Sequence, residues 1–338
     1  MRSVLVGCGA IAPMHAEALQ SCADTELAAC CDIVRERADV FSAKYGGNSY
    51  TDLEEMLQSE SPDVLHICTP HYLHLPMAEM AARYGVHVFT EKPPVITPVQ
   101  LDAFLKVEEA VCVGVCFQNR YNSENRYVKE ALLDGVLGRI LGARATVFWS
   151  RGANYYASGD WRGTIAEEGG GVLINQAIHT LDLMVHFLGE PLSVEAVVSN
   201  FSLKNIIEVE DTLNACIHFG DARGLFFATN AYAEDAPVSL EIVGDKGRIA
   251  VEEQRVLVSM REEEPREIRF DKEEGGGKSY WGASHVACIH DFYACLRDGR
   301  DYPVSLSAVL PTTRLMLSSY LSARTGAEVD VRTMQTIA

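Results

Sequence analysis

Three groups of residues in this sequence have the types and spacing that chemistry requires. The first is Gly7-Cys8-Gly9-Ala10-Ile11-Ala12, a G-x-G-x-x-A run that follows an apolar, strand-like segment and opens a helical one. Gly7 permits a tight turn, Gly9 lets the backbone approach a pyrophosphate, and the small Ala12 lets helix and strand pack closely. The helix start at Ala10 and Ile11 offers free N–H groups and a positive dipole end to phosphates. Asp32 closes the next strand-like run, 23 residues after Gly9. A carboxylate there accepts hydrogen bonds from an adenosine ribose and repels a 2′-phosphate, so NAD is expected over NADP. Arg35 and Arg37 lie close by and pull the other way.

The second group lies where strands end, since ligands of an open α/β sheet sit beyond the carboxyl ends of its strands. Thr69-Pro70-His71-Tyr72-Leu73-His74, Glu91-Lys92-Pro93-Pro94 and Gln118-Asn119-Arg120-Tyr121 occupy such places. Lys92 is the chemical candidate: beside a cationic nicotinamide its pKa would fall, and it could trade a proton with a substrate hydroxyl. The paired prolines favour a cis peptide at this turn. By itself, Lys-Pro also reads as a surface turn. The third group is Asn175, His179 and Asp182, which follow Gly169-Gly170-Gly171 and are spaced four and three apart. In an α-helix that spacing puts all three on one polar face, while Leu173, Ile174, Ile178 and Leu181 cover another. A buried polar face needs partners, and either a ligand or an internal hydrogen-bond network would serve.

The elements that must position these groups change character along the chain. The first third alternates β-branched runs with amphipathic stretches, the pattern of a parallel sheet with crossover helices. Strands are expected at Ser3–Gly7, Glu26–Asp32, Asp63–Thr69, Val86–Thr90 and Val111–Phe117, with helices from Ile11 to about Cys22 and up to Lys44. Beyond Gln118 a helix over 123–134 leads into a long strand at Ile140–Phe148, and a helix follows over Leu173–Leu188. Strand-like alternation then recurs at 192–203, 212–219, 224–231, 238–244, 248–251 and 256–260. Strand after strand implies an antiparallel or mixed sheet. A final helix near 306–324 and a short strand at 328–331 close the chain, and Gly275–Gly277 reads as a mobile loop. The expected fold is α/β: an N-terminal doubly wound Rossmann domain (1–119), then an α+β domain (120–338) with a large, mainly antiparallel open sheet.

Composition bounds the partners. A chain of 338 residues fits two domains, and 48% hydrophobic with 22% charged residues is ordinary globular content. A formal net charge of −18 argues against nucleic acid or a membrane surface as partner. The ten cysteines form no C-x-x-C pair and no zinc-type cluster with histidine, so no metal site is expected and the thiols are read as free, mostly buried residues of a reducing cytoplasm. Cys8 fills the variable slot of the glycine turn and is expected to be tolerated there. The N-terminus enters a strand without a leader pattern, and no apolar run reaches the roughly 20 residues that span a bilayer.

Taken in order, Gly7–Ala12, Glu91-Lys92-Pro93, Trp161-Arg162, Gly169–Asp182 and Glu241-Ile242-Val243-Gly244-Asp245-Lys246-Gly247 resemble the glucose–fructose oxidoreductase/inositol dehydrogenase/MocA-like family over nearly the whole chain. The resemblance implies NAD(P)-linked oxidation or reduction of sugars and polyols, and homodimers or homotetramers formed through the C-terminal sheet. It places the family's lysine on Lys92 and its active-site histidine on His179. Polyol dehydrogenases of the family carry Asp four residues before that histidine. Asn175 stands here instead, similar to the variant in members acting on nucleotide-linked amino sugars. An amide cannot supply the charge that raises an imidazole's basicity, so an inositol-type Asp–His relay is in doubt and the proton falls to either Lys92 or His179. Under this reading Thr69, Pro70, His71, His74, Glu91, Asn119, Trp161 and Arg162 join the glycine turn around the cofactor, and Arg120, Tyr121, Asn175, His179 and Asp182 face a small sugar or polyol. Two further classes share the fold: an NAD-assisted glycoside hydrolase and a ligand-sensing regulator. Retention of both Lys92 and His179 speaks against the regulator.

Overall fold

The structure is a computed structural model that describes residues 1–271 and 284–337; the Gly275–Gly277 segment lies outside them. The chain divides into two compact units. One comprises Met1–Gln118 with the described part of Glu274–Val309, and the other comprises the described parts of Asn119–Glu273 and Leu310–Ala338.

The first unit opens with β1 (Arg2–Val6), α1 (Ala12–Ser21), β2 (Glu26–Cys31), α2 (Arg35–Tyr45), β3 (Asn48–Tyr50), α3 (Leu53–Glu60), β4 (Val64–Ile67), α4 (His74–Arg83), β5 (His87–Thr90), α5 (Pro98–Ala110) and β6 (Val113–Val115). The strands form a parallel six-stranded sheet in the order β3-β2-β1-β4-β5-β6, which is the expected doubly wound Rossmann sheet. Its central strands are continuous apolar runs because helices cover both faces: every residue of β4 is buried, as is all of β1 beyond Arg2. Local chemistry starts the helices. Asp52 and Thr97 cap α3 and α5 by accepting from the Glu55 and Gln100 backbone N–H, and Pro98 occupies the first turn of α5, where its missing N–H costs nothing. β3 is three residues long and too short to register as a strand pattern.

The second unit contains α6 (Ser123–Leu133), β7 (Ile140–Phe148), α7 (Ala153–Tyr156), α8 (Ile178–Leu188), β8 (Ser193–Ser199), β9 (Thr212–Phe219), β10 (Ala222–Thr229), β11 (Ser239–Gly244), β12 (Gly247–Glu252), β13 (Arg255–Met260) and β14 (Arg266–Arg269). Past the segment outside the described residues, α9 (His285–Asp298) belongs to the first unit, and α10 (Leu310–Thr325), β15 (Val329–Asp330) and β16 (Gln335–Thr336) complete the second. The ten-stranded sheet runs β14-β13-β12-β11-β7-β10-β9-β8-β15-β16, with β7 and β10 parallel and the other pairs antiparallel. Its strands alternate buried and open positions, as in β9 and β11, because α8 and α10 cover one face.

The return segment is absent from the sequence-based division at residue 119. α9 packs on α1 of the first unit. Residues 304–306 then run antiparallel to the edge strand β6: Val115 N–H donates to Val304 O at 3.0 Å and Leu306 N–H to Val113 O at 3.1 Å. Gly114 must be a glycine there, because a Cβ would lie 2.7 Å from the Phe292 ring.

Candidate functional site

In the first unit the glycine turn is shaped by what surrounds it. Gly7 has φ +90°, and a Cβ on it would stand 2.7 Å from Cys68 O. A Cβ on Gly9 would meet nothing within 4 Å, so the face that a pyrophosphate would approach is open. Asp32, 7% exposed, accepts from the Cys8 N–H at 3.0 Å and the Val34 N–H at 2.9 Å. It therefore ties the turn to the end of β2 as well as offering lone pairs outward. Arg35 is directed to Ser49 O, Thr51 and Asp39. No side chain caps the N-terminus of α1; Pro13 has no N–H and the Met14 N–H donates to Ile11 O at 3.0 Å, so only the N–H groups ahead of Pro13 are left to face an anion. These features fit a dinucleotide.

Thr69, Pro70 and His71 follow β4, and Glu91 and Lys92 follow β5, as expected. Lys92–Pro93 is cis. His74, expected beside the cofactor, is instead sealed: its Nδ1 lies 2.7 Å from Pro93 O and its Nε2 2.9 Å from Thr69 O, so it braces the two strand-end loops against each other. Burial pulls its pKa down while the two carbonyls pull it up, the first effect winning. Glu91 is buried and Lys92 half-buried. Burial opposes ionisation of Glu91, yet the hydrogen bond and charge of His15, with the charges of His285 and Lys92, hold the carboxyl well below the usual range.

In the second unit Asn175 lies in a π-helical turn, Leu173–Ala177, that runs directly into α8. This corrects the expectation of three residues on one α-helical face. Across residues 171–185 only Asn175 and His179 are open to solvent. Asp182, 1% exposed, has both oxygens bonded by Arg120 at 2.6 and 2.7 Å and also accepts from Thr312 at 2.8 Å. Two residues expected to face a substrate thus pair with each other and anchor the start of the unit to α8. Tyr121 and Asn119 are half-buried in the same stretch, with Asn119 O accepting from Asn125 at 2.8 Å.

Around Asn175 lies a polar cluster. The Tyr155 hydroxyl accepts from Arg162 at 2.6 Å, Gln176 at 3.0 Å and Asn175 at 3.3 Å, and burial raises its pKa. The Arg162 guanidinium lies over the Tyr155 and Trp161 rings at 4.6 and 4.5 Å. Asn175 also donates to Glu168, a fully buried carboxylate that receives the Gly163 N–H as well. The carboxyl group that Asn175 itself lacks is therefore held one hydrogen bond away.

The helix start is clamped by Glu210 and Tyr320. Glu210 accepts from the Gly171 and Leu173 N–H at 2.8 and 3.1 Å and from the Tyr320 hydroxyl at 2.9 Å; the Ile174 N–H donates to Tyr320 at 3.2 Å. The glycines follow from this clamp: a Cβ on Gly170 would stand 2.1 Å from the Tyr320 hydroxyl, and one on Gly171 would stand 1.8 Å from Glu210 O. Burial pushes the Glu210 carboxyl up to about 7 against these donors. Sequence reasoning missed Tyr155, Glu168, Gln176, Glu210 and Tyr320. Glu168, directly ahead of the glycine run, was the one with a readable signal.

Among the described residues all ten cysteines are free, six of them buried; Cys112 is exposed and Cys8, Cys22 and Cys216 are half-exposed, so they are not core fillers. No helix among the described residues is long and apolar enough to cross a membrane.

Residues 1–119 match the profile of an oxidoreductase family with an NAD-binding Rossmann fold, and residues 125–250 match the GFO/IDH/MocA C-terminal domain. The chain is similar to D-glucoside 3-dehydrogenase of Escherichia coli (strain K12), 31% identical over 65% of this chain and 62% of that protein, a little under two thirds of its length. It is similar to inositol 2-dehydrogenase of Rhizobium meliloti (strain 1021), 28% identical over 75% of this chain and 76% of that one. Among solved structures, the WlbA dehydrogenase from Bordetella pertussis in complex with NADH and UDP-GlcNAcA matches with a TM-score of 0.85 and 30% identity, covering 97% of this chain and 98% of that one.

Proposed function

The chain belongs to the Gfo/Idh/MocA family of oxidoreductases, with an NAD-binding Rossmann domain, and from that premise we propose that it transfers a hydride between NAD and a hydroxyl-bearing carbon of a sugar, polyol or sugar derivative. Bound NAD supplies the hydride acceptor, or in its reduced form the donor. Gly7, Gly9 and the start of α1 would hold its phosphates, and Asp32 its adenosine ribose. Arg35, occupied with Ser49, Thr51 and Asp39, supports NAD over NADP.

Lys92 and His179 are the candidate groups for the hydroxyl proton, and Asn175 orients the substrate or His179. The observations that carry this reading are an open dinucleotide turn in the first unit and, in the second, the stretch 171–185 in which Asn175 and His179 alone are not buried. Asn175, together with the similarity to a dehydrogenase solved with UDP-GlcNAcA, favours a nucleotide-linked sugar over a free polyol. Arg120 and Asp182 then act as the buried anchor beneath that surface.

On this reading the first unit, including the return segment up to Val309, forms the NAD domain, and the second unit forms the substrate and oligomerisation domain. Val197 and Leu225 stand exposed on the open face of the ten-stranded sheet, which supports a homodimer or homotetramer through that face. Free cysteines support a cytoplasmic setting. The test is single-turnover mixing of the enzyme with NAD and a panel of sugars, polyols and nucleotide sugars. A change in nicotinamide absorbance that Lys92→Ala abolishes supports the proposal, and no change with any of them sinks it.

A further inference from the structure

Behind Glu91 the first unit contains a string of buried polar side chains for which cofactor binding has no evident use. His15 on α1 places Nε2 3.0 Å from Glu91 Oε1 and Nδ1 2.9 Å from His66 Nδ1 on β4. His66 Nε2 lies 2.8 Å from the Tyr293 hydroxyl on α9, and that hydroxyl lies 2.6 Å from Ser3 Oγ on β1. Ser3, His15, His66 and Tyr293 are all buried.

The hydrogens in this string can take one of two orders, set by the charge on His15. A carboxylate only accepts, so His15 Nε2 carries a hydrogen. With a neutral His15 ring, Nδ1 accepts from His66 Nδ1–H. His66 Nε2 then accepts from the Tyr293 hydroxyl, whose oxygen accepts from Ser3. In that order every donor points toward Glu91; with a charged His15 ring both of its nitrogens donate and the links through His66, Tyr293 and Ser3 run the other way. Burial, with the charge of His15, drives the His66 pKa well down, in keeping with a neutral ring at that link. His15, Glu91 and Cys116 also place possible metal-ligating atoms within 4.8 Å of one another. Both His15 nitrogens are already within hydrogen-bond distance of partners, however, so the cluster reads as a hydrogen-bonded array.

Burying five polar groups in a sheet core is costly unless each is paired, and this array terminates at the residue preceding Lys92. The Lys92 N–H approaches Glu91 Oε2 at 3.3 Å. We propose that His15, backed by His66, Tyr293 and Ser3, is a positioning residue that fixes the Glu91 carboxylate behind Lys92 so that the carboxylate's charge sets the protonation of the Lys92 amine. The other ionisable groups facing Glu91 are His285 of α9, Cys68 after β4, His74 of α4 and Cys116 after β6.

The inference rests on Lys92 as the proton-transfer residue, and its test separates the two. In the NAD-free protein, labelled with 13C at lysine Cε and assigned through Lys92→Arg, the Lys92 titration is followed by NMR in wild type, Glu91→Gln and His15→Phe. Loss of a neighbouring anion lowers an amine's titration midpoint by about 1 pH unit, so Glu91→Gln should titrate lower. His15→Phe, which leaves the buried Glu91 carboxyl without its His15 partner and so easier to protonate, should shift in the same direction, and the acid limb of kcat/KM should move the same way. His15→Gln, whose Nε2 can still donate to Glu91, should restore most of the wild-type behaviour. A Lys92 titration unchanged in Glu91→Gln and His15→Phe overturns the inference. If His15→Phe does not fold, an unchanged titration in Glu91→Gln and Tyr293→Phe does so. An active Lys92→Ala would instead remove the reading on which it rests.

Discussion

At the residue scale the account turns on Lys92, Asp32 and Asn175. A positioned proton-transfer group contributes about 10²–10⁴-fold, so Lys92→Ala should lower single-turnover hydride transfer by at least roughly 10²-fold while NAD still binds. Asp32 accepts two backbone N–H groups of its own unit, and under the proposed function it would also hold the adenosine ribose. Asp32→Ala therefore removes a turn brace and a ligand contact together. With hydrogen bonds to a charged group worth about 1.5–3 kcal/mol each, calorimetry should show NAD affinity at least roughly tenfold weaker, with the preference over NADP reduced. The dinucleotide turn was legible because G-x-G-x-x-A after a strand has few other uses. The surroundings of Asn175 were not, because Tyr155, Glu168 and Gln176 converge on it only after folding. Asp182 could be mistaken for a substrate contact because its partner, Arg120, lies 62 residues away in sequence.

At the element scale the decisive piece is the helix start from Gly170 to Ala177. Its glycines make room for Tyr320 and Glu210, so Gly171→Ala forces a Cβ into Glu210 O and should cost at least about 1–3 kcal/mol in denaturant unfolding. Glu210 gives the helix start a pH dependence. Its carboxyl is raised from 4.5 to about 7 by burial, so between those values the folded state binds the proton more tightly than the unfolded chain. The resulting stabilisation is complete below about pH 4.5 and is lost as pH rises through about 7, a loss of roughly 3 kcal/mol. Unfolding curves of wild type and Glu210→Gln should therefore diverge over that interval, wild type losing ground as pH rises; parallel curves would contradict the assignment. The π turn left no mark on the sequence, since a hydrogen-bond shift from i→i+4 to i→i+5 requires no particular residue type. α9 is different. Cys288, Ile289, Phe292 and Cys295 recur at helical spacing and are buried, but they follow a glycine-rich, acidic stretch that masks the helix start.

At the scale of the whole molecule, both sheets were legible because their hydrophobic periods differ: continuous apolar runs in the parallel one, alternation in the other. What periodicity cannot carry is the return of residues 284–309 to the first unit, because strand and helix patterns do not state which sheet they join. The open face of the ten-stranded sheet gives a prediction about assembly. Leu225→Asp, placing a charge on an exposed apolar position of that face, should shift the light-scattering mass toward the 37.1 kDa of one chain, and an unchanged mass would rule out association through that face. Net charge of −18 suits a protein whose anionic ligands are bound by local donors rather than by a general field. The central claim is tested most directly by stopped-flow nicotinamide absorbance with nucleotide-linked sugars, free sugars and polyols, run on wild type and Lys92→Ala. The account predicts a transient with at least one of these compounds that is lost in the variant. No transient with any of them, or an identical one in Lys92→Ala, would contradict it.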